Sequence, residues 1–194
     1  MTVNTLKRQI ASLAVAALGT CVVWADVPSG WIVAGSAPAD YEFSRDETTS
    51  ASGRHSARIV AKPGAGSNGF GTLMQTIDAE SYRGGRWRLS AKLKTSGTAR
   101  AQMWMRVDGP ERKVLAFDNM DSRPITGTTD WKRYEIVLDV PSESLDIAFG
   151  FFLAQEGTVW ADDFKLEKVA ASVPVTSTIG RMPKAPANAD FESF

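Results

Sequence analysis

The stretch best suited to ligand chemistry is residues 100–108, in which apolar and polar side chains alternate without a break. In an extended strand, successive side chains point to opposite sides. The Ala, Met and Val side chains therefore share one side. The other side carries Arg100, Gln102, Trp104, Arg106 and Asp108. An indole among hydrogen-bonding and charged groups is typical of a surface that holds a polar ligand. A half-solvated strand with one amphipathic Trp has the same pattern, so both interpretations stay open.

Two further pairs of polar residues are candidates for the same surface. Asp118 and Asn119 end the next predicted strand, and antiparallel pairing would bring them to this patch. Gln75 and Arg88 lie on other predicted strands. A sugar can stack its C–H face on an aromatic ring while its hydroxyls bond Arg, Asp, Asn or Gln. The candidate ligand-binding residues are Gln75, Arg88, Gln102, Trp104, Arg106, Asp108, Asp118 and Asn119. The alternative for each is an ordinary solvated face or a loop contact.

The sequence gives little support for catalysis. His55 is the single histidine and lies at a predicted turn, and no Gly-x-Ser-x-Gly elbow exists in the sequence. A His-based metal centre is excluded by that count. Carboxylates are plentiful enough for a glycosidase pair, but nothing marks any two of them. We therefore expect no catalytic residues and a protein that is not an enzyme.

The N-terminal 25 residues read as a signal peptide. Lys7 and Arg8 precede a short apolar run at 10–18, and a small-residue cleavage pattern ends at Ala25. The apolar run is too short for a stable membrane span. A lipoprotein signal with lipidation at Cys21 is the alternative, although a Thr directly before that Cys fits it poorly. We expect cleavage after Ala25.

The predicted export and the composition indicate where the protein is located and which classes of partner it can bind. Without its leader the chain has no cysteine, which suits a periplasmic or secreted domain that relies on its core. The remaining 20 basic and 22 acidic side chains nearly balance, which argues against a nucleic-acid partner. We expect a polar small molecule or a glycan as partner, with a protein partner as the alternative and no membrane span.

The rest of the chain predicts an all-β fold. Roughly nine or ten short strands follow one another, with turn signals about every 8–12 residues. A helical turn is indicated only around 78–82. Antiparallel strands in this number must close or stack, so we predict a two-sheet antiparallel jelly-roll β-sandwich. It should span 26–169, and an Ala/Pro/Ser/Thr-rich tail or linker should follow at 170–194.

Two late motifs give the sandwich a family resemblance. Residues 128–134, Thr-Thr-Asp-Trp-Lys-Arg-Tyr, and residues 159–167, Val-Trp-Ala-Asp-Asp-Phe-Lys-Leu-Glu, resemble strands of galactose-binding-like jelly rolls. That architecture is shared by many carbohydrate-binding modules. Segments 69–75, 104–109 and 117–120 resemble an uncharacterised bacterial subfamily, which also occurs joined to regulators and hydrolases. The resemblance covers about 30–169 and implies a non-catalytic binding module.

The resemblance also implies a structural calcium near one end of the sandwich. The possible oxygen donors are Glu42, Asp46, Asp162 and Asp163. No contiguous loop has the Asp/Asn spacing of an EF-hand. The alternative is that these carboxylates accept backbone N–H groups instead. We expect no other cofactor.

These observations predict an exported, non-catalytic module that binds a carbohydrate or a similar polar ligand. Binding would use stacking on Trp104 and hydrogen bonds from neighbouring side chains on one sheet face. A protein–protein interaction or structural module of the bacterial envelope is the alternative from another functional class.

Overall fold

The computed structural model describes residues 27–65 and 69–177. The predicted signal peptide, the alternative lipidation site at Cys21 and residues 178–194 of the predicted tail lie outside these ranges.

Strands account for most of the described residues. They are β1 (Ile32–Gly35), β2 (Tyr41–Asp46), β3 (Ser56–Ala61), β4 (Phe70–Asp78), β5 (Gly85–Ser96), β6 (Arg100–Asp108), β7 (Val114–Asp118), β8 (Ile125–Thr126), β9 (Thr129–Val140), β10 (Asp146–Ala154) and β11 (Thr158–Val169). Short 3-10 turns occupy Pro38–Asp40, Glu80–Tyr82 and Pro110–Arg112. The second of these confirms the helical turn predicted around 78–82.

The strands form two antiparallel sheets, which confirms the predicted jelly-roll sandwich. Sheet A has the order β1-β4-β10-β6-β7, and β8 also pairs with β6. Sheet B has the order β2-β3-β11-β5-β9. Strands that are neighbours in each sheet are often distant in the sequence, so most of the pairing is long-range.

The core lies between the two sheets and is built by the inward rows of the alternating strands. Leu73, Met103, Met105 and Phe151 of sheet A and Leu89 of sheet B are almost completely buried. Each such side chain contributes roughly 1.5–3 kcal/mol of burial free energy. The period-2 pattern of the sequence therefore places one face of each sheet in a common apolar layer.

An aromatic cluster closes one end of this layer. The ring of Trp31 lies 4.9 Å from the ring of Phe164 and 6.2 Å from those of Phe149 and Phe151, all in edge-to-face geometry. Phe164 reaches the cluster because a β-bulge between Asp162 and Lys165 shifts the register of β11 against β5.

The first residues after β11 run along the open side of the sandwich; we call 171–177 the C-terminal strap. Thr176 donates its N–H to the Val137 carbonyl at 2.8 Å, and its hydroxyl accepts the Val137 N–H at 3.0 Å. The Ser177 hydroxyl contacts the Phe117 N–H at 3.5 Å and carbonyl at 3.3 Å. The strap thus covers the free edges of β9 and β7.

Within the ranges that the structure describes, no helix is long and apolar enough to cross a membrane.

Candidate functional site

The outward side of sheet A carries the side chains of the opening motif. Because antiparallel partners share a face, the strand register defines rows across it. One row contains Ile32, Met74, Gly150 and Trp104. The next contains Thr76, Ala148, Arg106 and Phe117, and a third contains Asp78, Asp146 and Asp108. We call this surface the Trp104 face.

The indole of Trp104 lies across the neighbouring strand. Its Nε1–H donates to the Thr72 hydroxyl at 3.0 Å. Thr72 is on β4, and β10 runs between β4 and β6, so the two backbones are about 10 Å apart. The side chain can span that distance only by lying along the sheet. One ring face therefore rests on β10, and the other points outward.

Gly150 lies beside Trp104 on the neighbouring strand. It is the register partner of Trp104 on β10. A Cβ atom at this position would lie 2.1 Å from the Leu73 carbonyl oxygen, so no side chain fits there. This position therefore presents only backbone beside Trp104. Among the described residues, neither an aromatic ring nor a cationic side chain stacks on Trp104.

Charged side chains occupy the next two rows after that of Trp104, on the side away from Thr72. Arg106 donates its Nε–H to Asp108 at 2.8 Å, and its side chain is 44% exposed. Asp146 is the register partner of both Asp78 and Asp108. Burial raises the pKa of Asp146, and the negative charge of Asp108 raises it further, whereas Arg106 opposes the shift. The three carboxyl groups of Asp78, Asp146 and Asp108 make this end of the face rich in hydrogen-bond acceptors.

An open depression of about 690 Å³ follows this charged end. Its rim includes the loop between β6 and β7, where Glu111 and Arg112 have positive φ values of 56° and 60°. Two adjacent non-glycine residues in the left-handed region are uncommon and cost backbone strain. The exposed apolar side chain of Leu145 also lines the depression. Apolar and polar groups thus converge beside Arg106.

Gln102 lies on the predicted face but is not available to a ligand. It is only 2% exposed, and its Nε2 donates to the Asn119 carbonyl at 2.7 Å. The Asn119 side chain accepts the Asp121 N–H at 3.2 Å. Asn119 therefore lies next to the face, but its carbonyl oxygen and its Oδ1 are used within the protein.

The predicted position of Asp118 is corrected by the structure. It pairs with Met105 of the inward row and is fully buried. Its carboxylate accepts bonds from Arg123 Nη2 at 2.6 Å, Arg123 Nη1 at 3.1 Å and the Met120 N–H at 2.8 Å. Arg123 thus supplies the opposite charge that a buried carboxylate requires. Asp118 does not join the Trp104 face.

The structure does not bring Gln75 and Arg88 together. Gln75 pairs with Phe149 and so faces inward from sheet A. Arg88 is on β5 of sheet B, where its Nε lies 3.4 Å from Glu135. The two residues are on different sheets, and neither belongs to the Trp104 face.

The outward side of sheet B differs in character from the Trp104 face. Its charged residues pair with one another across β9, β5 and β11, and this pairing leaves little unpaired charge. The pairs are Arg86–Asp139, Arg88–Glu135, Lys92–Asp163, Arg133–Glu135, Arg133–Glu167 and Lys165–Glu167. Such exposed pairs are typical of a solvated surface and contribute little to stability individually.

Asp46, a predicted calcium ligand, is instead an anchor for backbone and indole N–H groups. Its Oδ1 accepts the N–H groups of Thr48 at 2.8 Å and Thr49 at 2.9 Å. Its Oδ2 accepts Trp160 Nε1–H at 2.8 Å. Burial alone would raise the pKa of Asp46, but these hydrogen bonds outweigh burial and lower it to about 2.

The other predicted calcium ligands are also used differently. Asp162 accepts the N–H groups of Ala51 at 2.9 Å and Ser52 at 3.0 Å. Asp163 pairs with Lys92 at 2.9 Å and accepts the Ser52 hydroxyl.

Glu42 is exposed on β2 opposite Val60. In 27–65 and 69–177, no three His, Cys, Asp or Glu side chains are arranged to hold a metal ion. Glu42, Asp46, Asp162 and Asp163, the predicted calcium ligands, are therefore not gathered into such a group, and N–H donors account for the carboxylates of Asp46 and Asp162.

The sequence interpretation missed several residues of the Trp104 face. Thr72 bonds the indole, Gly150 is the register partner of Trp104, and Asp78 and Asp146 complete the acidic row. The available signal was an Asp at one end of each of β4, β6 and β10. That signal has no meaning until the strand order is known, because β10 inserts between β4 and β6.

Comparison with known proteins adds one sequence relative. No family model matches the chain. The chain is 42% identical over 166 residues to YbfP, an uncharacterized HTH-type transcriptional regulator of Bacillus subtilis (strain 168). The match covers 84% of this chain and 56% of the regulator, so the chain spans little more than half of that relative.

Solved structures with the same fold include several carbohydrate-binding modules. The CBM22-1 xylan-binding domain of Paenibacillus barcinonensis Xyn10C matches with a TM-score of 0.56 at 10% identity, over 76% of this chain and 90% of that one. The C-terminal family 22 carbohydrate-binding module of Clostridium thermocellum Xyn10B matches with a TM-score of 0.55 at 15% identity. That match covers 78% of this chain and 92% of the module's chain. The resemblance to jelly-roll carbohydrate-binding modules is thus confirmed for the fold.

An enzyme has the same fold. The Stig cyclase Fisc of Fischerella sp. TAU matches with a TM-score of 0.54 at 17% identity, over 74% of this chain and 87% of that one. The fold therefore serves both binding and catalysis, and function has to be argued from the site.

Proposed function

We propose that this chain is a non-catalytic binding module for a carbohydrate or a similar polar ligand, bound on the Trp104 face. The observation that carries the proposal is the flat indole of Trp104, anchored through Thr72 at 3.0 Å and uncovered by other rings of the described residues. Arg106 and the row of Asp78, Asp146 and Asp108 supply polar groups nearby.

This combination fits the two surfaces of a pyranose ring. The C–H face of the sugar stacks on the outward face of the indole. Its hydroxyls donate to the carboxylates and accept from Arg106. The platform is formed before the ligand arrives, so little conformational entropy is lost on binding. An open surface of this size favours micromolar to millimolar affinity.

Two observations support a role in binding rather than catalysis. His55, the one histidine, is exposed at a turn before β3 and far in sequence from every residue of the Trp104 face. Asp108, the most buried member of the acidic row, accepts the Arg106 Nε–H at 2.8 Å, so this carboxylate is already engaged within the protein. The binding modules among the solved structures provide further support through their fold.

Isothermal titration against a panel of cello-, xylo-, manno- and chito-oligosaccharides tests the proposal. We expect at least one oligosaccharide to bind the wild type, and Trp104→Ala to abolish measurable binding. Trp131→Ala is the matched control, because Trp131 is a partly buried Trp on β9 of the other sheet. Loss of binding in both variants, or in neither, would contradict the proposal.

A protein-docking role for the same face is the second candidate. Ile32 is 55% exposed in the row of Trp104, and Leu145 is 48% exposed at the nearby depression. The regulator among the relatives adds a context in which such a module would be one part of a larger protein. Binding of no oligosaccharide, together with Trp104-dependent self-association or partner binding, would favour this candidate.

We further propose export through the leader that ends at Ala25. The basic and apolar regions of that leader support export, whereas the relationship to a transcriptional regulator favours the cytoplasm. Mass spectrometry of the mature N-terminus in periplasmic and cytoplasmic fractions separates these outcomes. A periplasmic chain beginning at Asp26 supports export, and an intact cytoplasmic chain contradicts it.

A further inference from the structure

Thr72 connects Trp104 to the backbone of β10. Its hydroxyl accepts the indole N–H at 3.0 Å and donates to the Phe151 carbonyl at 2.8 Å. Thr72 is 3% exposed, so this relay is shielded from water. Hydrogen bonds in a shielded chain strengthen one another. The relay therefore holds the indole at a defined angle to the sheet.

The relay also determines which part of the indole a ligand can meet. The indole N–H is already used by Thr72, and the neighbouring Gln102 amide is used by the Asn119 carbonyl at 2.7 Å. Close to the ring, the described residues therefore offer a ligand a π face and no free side-chain hydrogen-bond donor. The exposed donors on the next row are Arg106 on β6 and Thr76 on β4.

Without the hydrogen bond to Thr72, the indole would be fixed only through its covalent attachment to β6. Gly150 has no side chain that could limit the rotation of the indole. A ligand would then have to order the indole as it bound, at a cost in conformational entropy. A fixed ring avoids that cost.

We propose that Thr72 is the positioning residue of the binding site, and that it restricts the ligand to a ring that presents a C–H face to Trp104. This inference rests on the proposed function. It predicts face-on binding, in which the ligand accepts no hydrogen bond from the indole N–H. The polar groups of the ligand bind on the side of the indole that carries Arg106, Thr76 and Asp146.

The variants Thr72→Val and Thr72→Ser test this role. Val keeps the shape of Thr but removes the hydroxyl, and Ser keeps the hydroxyl. Thr95→Val is the matched control, because Thr95 is also buried and its hydroxyl donates to the Gly127 carbonyl at 2.7 Å in sheet B. Two readouts are needed. They are hydrogen exchange of the Trp104 indole N–H by NMR and the affinity for the tightest-binding member of the oligosaccharide panel.

We expect Thr72→Val to expose the indole N–H to fast exchange and to weaken the affinity about 3- to 10-fold, the range for ordering one side chain. Thr72→Ser should retain slow exchange and most of the affinity. Thr95→Val should lower the melting temperature without changing either readout. In the wild type, the Trp104 indole N–H should stay bonded to Thr72 when the ligand binds, so its exchange should remain slow.

Three results would overturn the inference. Equal affinity of the wild type and Thr72→Val would remove the positioning role and leave the proposed function intact. Slow indole exchange in Thr72→Val would show that other contacts hold the ring. Failure of every oligosaccharide to bind the wild type would remove the proposed function and the ligand role of Thr72 with it, while the exchange data would still decide whether Thr72 holds the indole.

Discussion

The indole nitrogen of Trp104 lies 3.0 Å from the hydroxyl oxygen of Thr72, on the far side of an intervening strand. The opposite sheet repeats this construction. There the indole nitrogen of Trp160 on β11 lies 2.8 Å from Asp46 of β2, with β3 between them. Each sheet therefore carries an indole that lies across a neighbouring strand and is held two strands away. The Trp104 indole shares its sheet face with Arg106, an acidic row and an open depression, which is why we place the binding site there.

Gly150→Ala should destabilise the protein through the strand on which the indole rests. The added Cβ atom would lie 2.1 Å from the Leu73 carbonyl, so β4 and β10 would have to separate. We expect a loss of about 2 kcal/mol or more in the free energy of unfolding, measured in urea. Gly53→Ala is the control. A Cβ atom added at Gly53 meets no atom within 4 Å, so the only cost of the substitution comes from the positive φ of +59°. It should cost about 1 kcal/mol. A smaller loss for Gly150→Ala than for Gly53→Ala would contradict the packing described here.

Asp46→Asn should make stability less dependent on pH. The pKa of Asp46 is lowered from 3.8 to about 2 in the folded protein. A lowered folded-state pKa contributes stability that is present above pH 3.8 and is lost as the pH falls toward 2. At neutral pH the wild type should therefore exceed the variant by about 2 kcal/mol. The difference should disappear near pH 2. Chemical unfolding between pH 2 and pH 7 checks this, and a constant difference over that range would refute it.

Asp118→Asn should affect stability but not ligand binding. The substitution breaks a buried ion pair with Arg123, whose Nη2 lies 2.6 Å from the carboxylate. Leaving one buried partner uncompensated costs about 3–5 kcal/mol when the charge is fully buried; here Arg123 is 38% exposed, so we expect about 2 kcal/mol. The affinity of the folded fraction for an oligosaccharide should stay within twofold, because Asp118 faces away from the Trp104 face. A selective loss of affinity with unchanged stability would return Asp118 to the binding site.

Deletion of the C-terminal strap should expose two sheet edges. A chain that ends at Val169 lacks Thr176 and Ser177, which bond the backbones of Val137 and Phe117. Open edges favour pairing with other chains. We expect a lower melting temperature and concentration-dependent self-association in analytical ultracentrifugation. A chain that ends at Ser177 is the control and should behave like the full-length protein. Identical behaviour of both truncated chains would show that the strap is dispensable.

The alternation of side chains predicted much of the fold because it is a local property. Period-2 patterns assigned the inward rows of β5, β6, β9 and β10, and two layers of strands follow from the need to bury them. The same pattern placed Trp104, Arg106 and Asp108 on one face.

The contacts that define the site depend on strand order, which alternation does not contain. Trp104 and Thr72 are 32 positions apart, and the strand between them, β10, comes about 40 residues later in the chain than β6. Asp118 faces inward because Arg123, in the following loop, neutralises it. A rule that turns charged residues outward therefore gives the wrong side for Asp118. The β-bulge at Asp162 likewise moves Asp163 and Phe164 out of simple alternation.

The most direct test of the central claim is a ¹H–¹⁵N NMR titration of the full-length protein with the oligosaccharide that binds most tightly. If ligand binds where we place it, the largest shifts will fall on the Trp104 indole N–H, the amides of Gly150 and Arg106, and their neighbours on β6 and β10. The Trp160 indole N–H and the amides of β3 and β11 should stay unchanged. A footprint centred on Trp160 or on the outward side of sheet B would contradict the account.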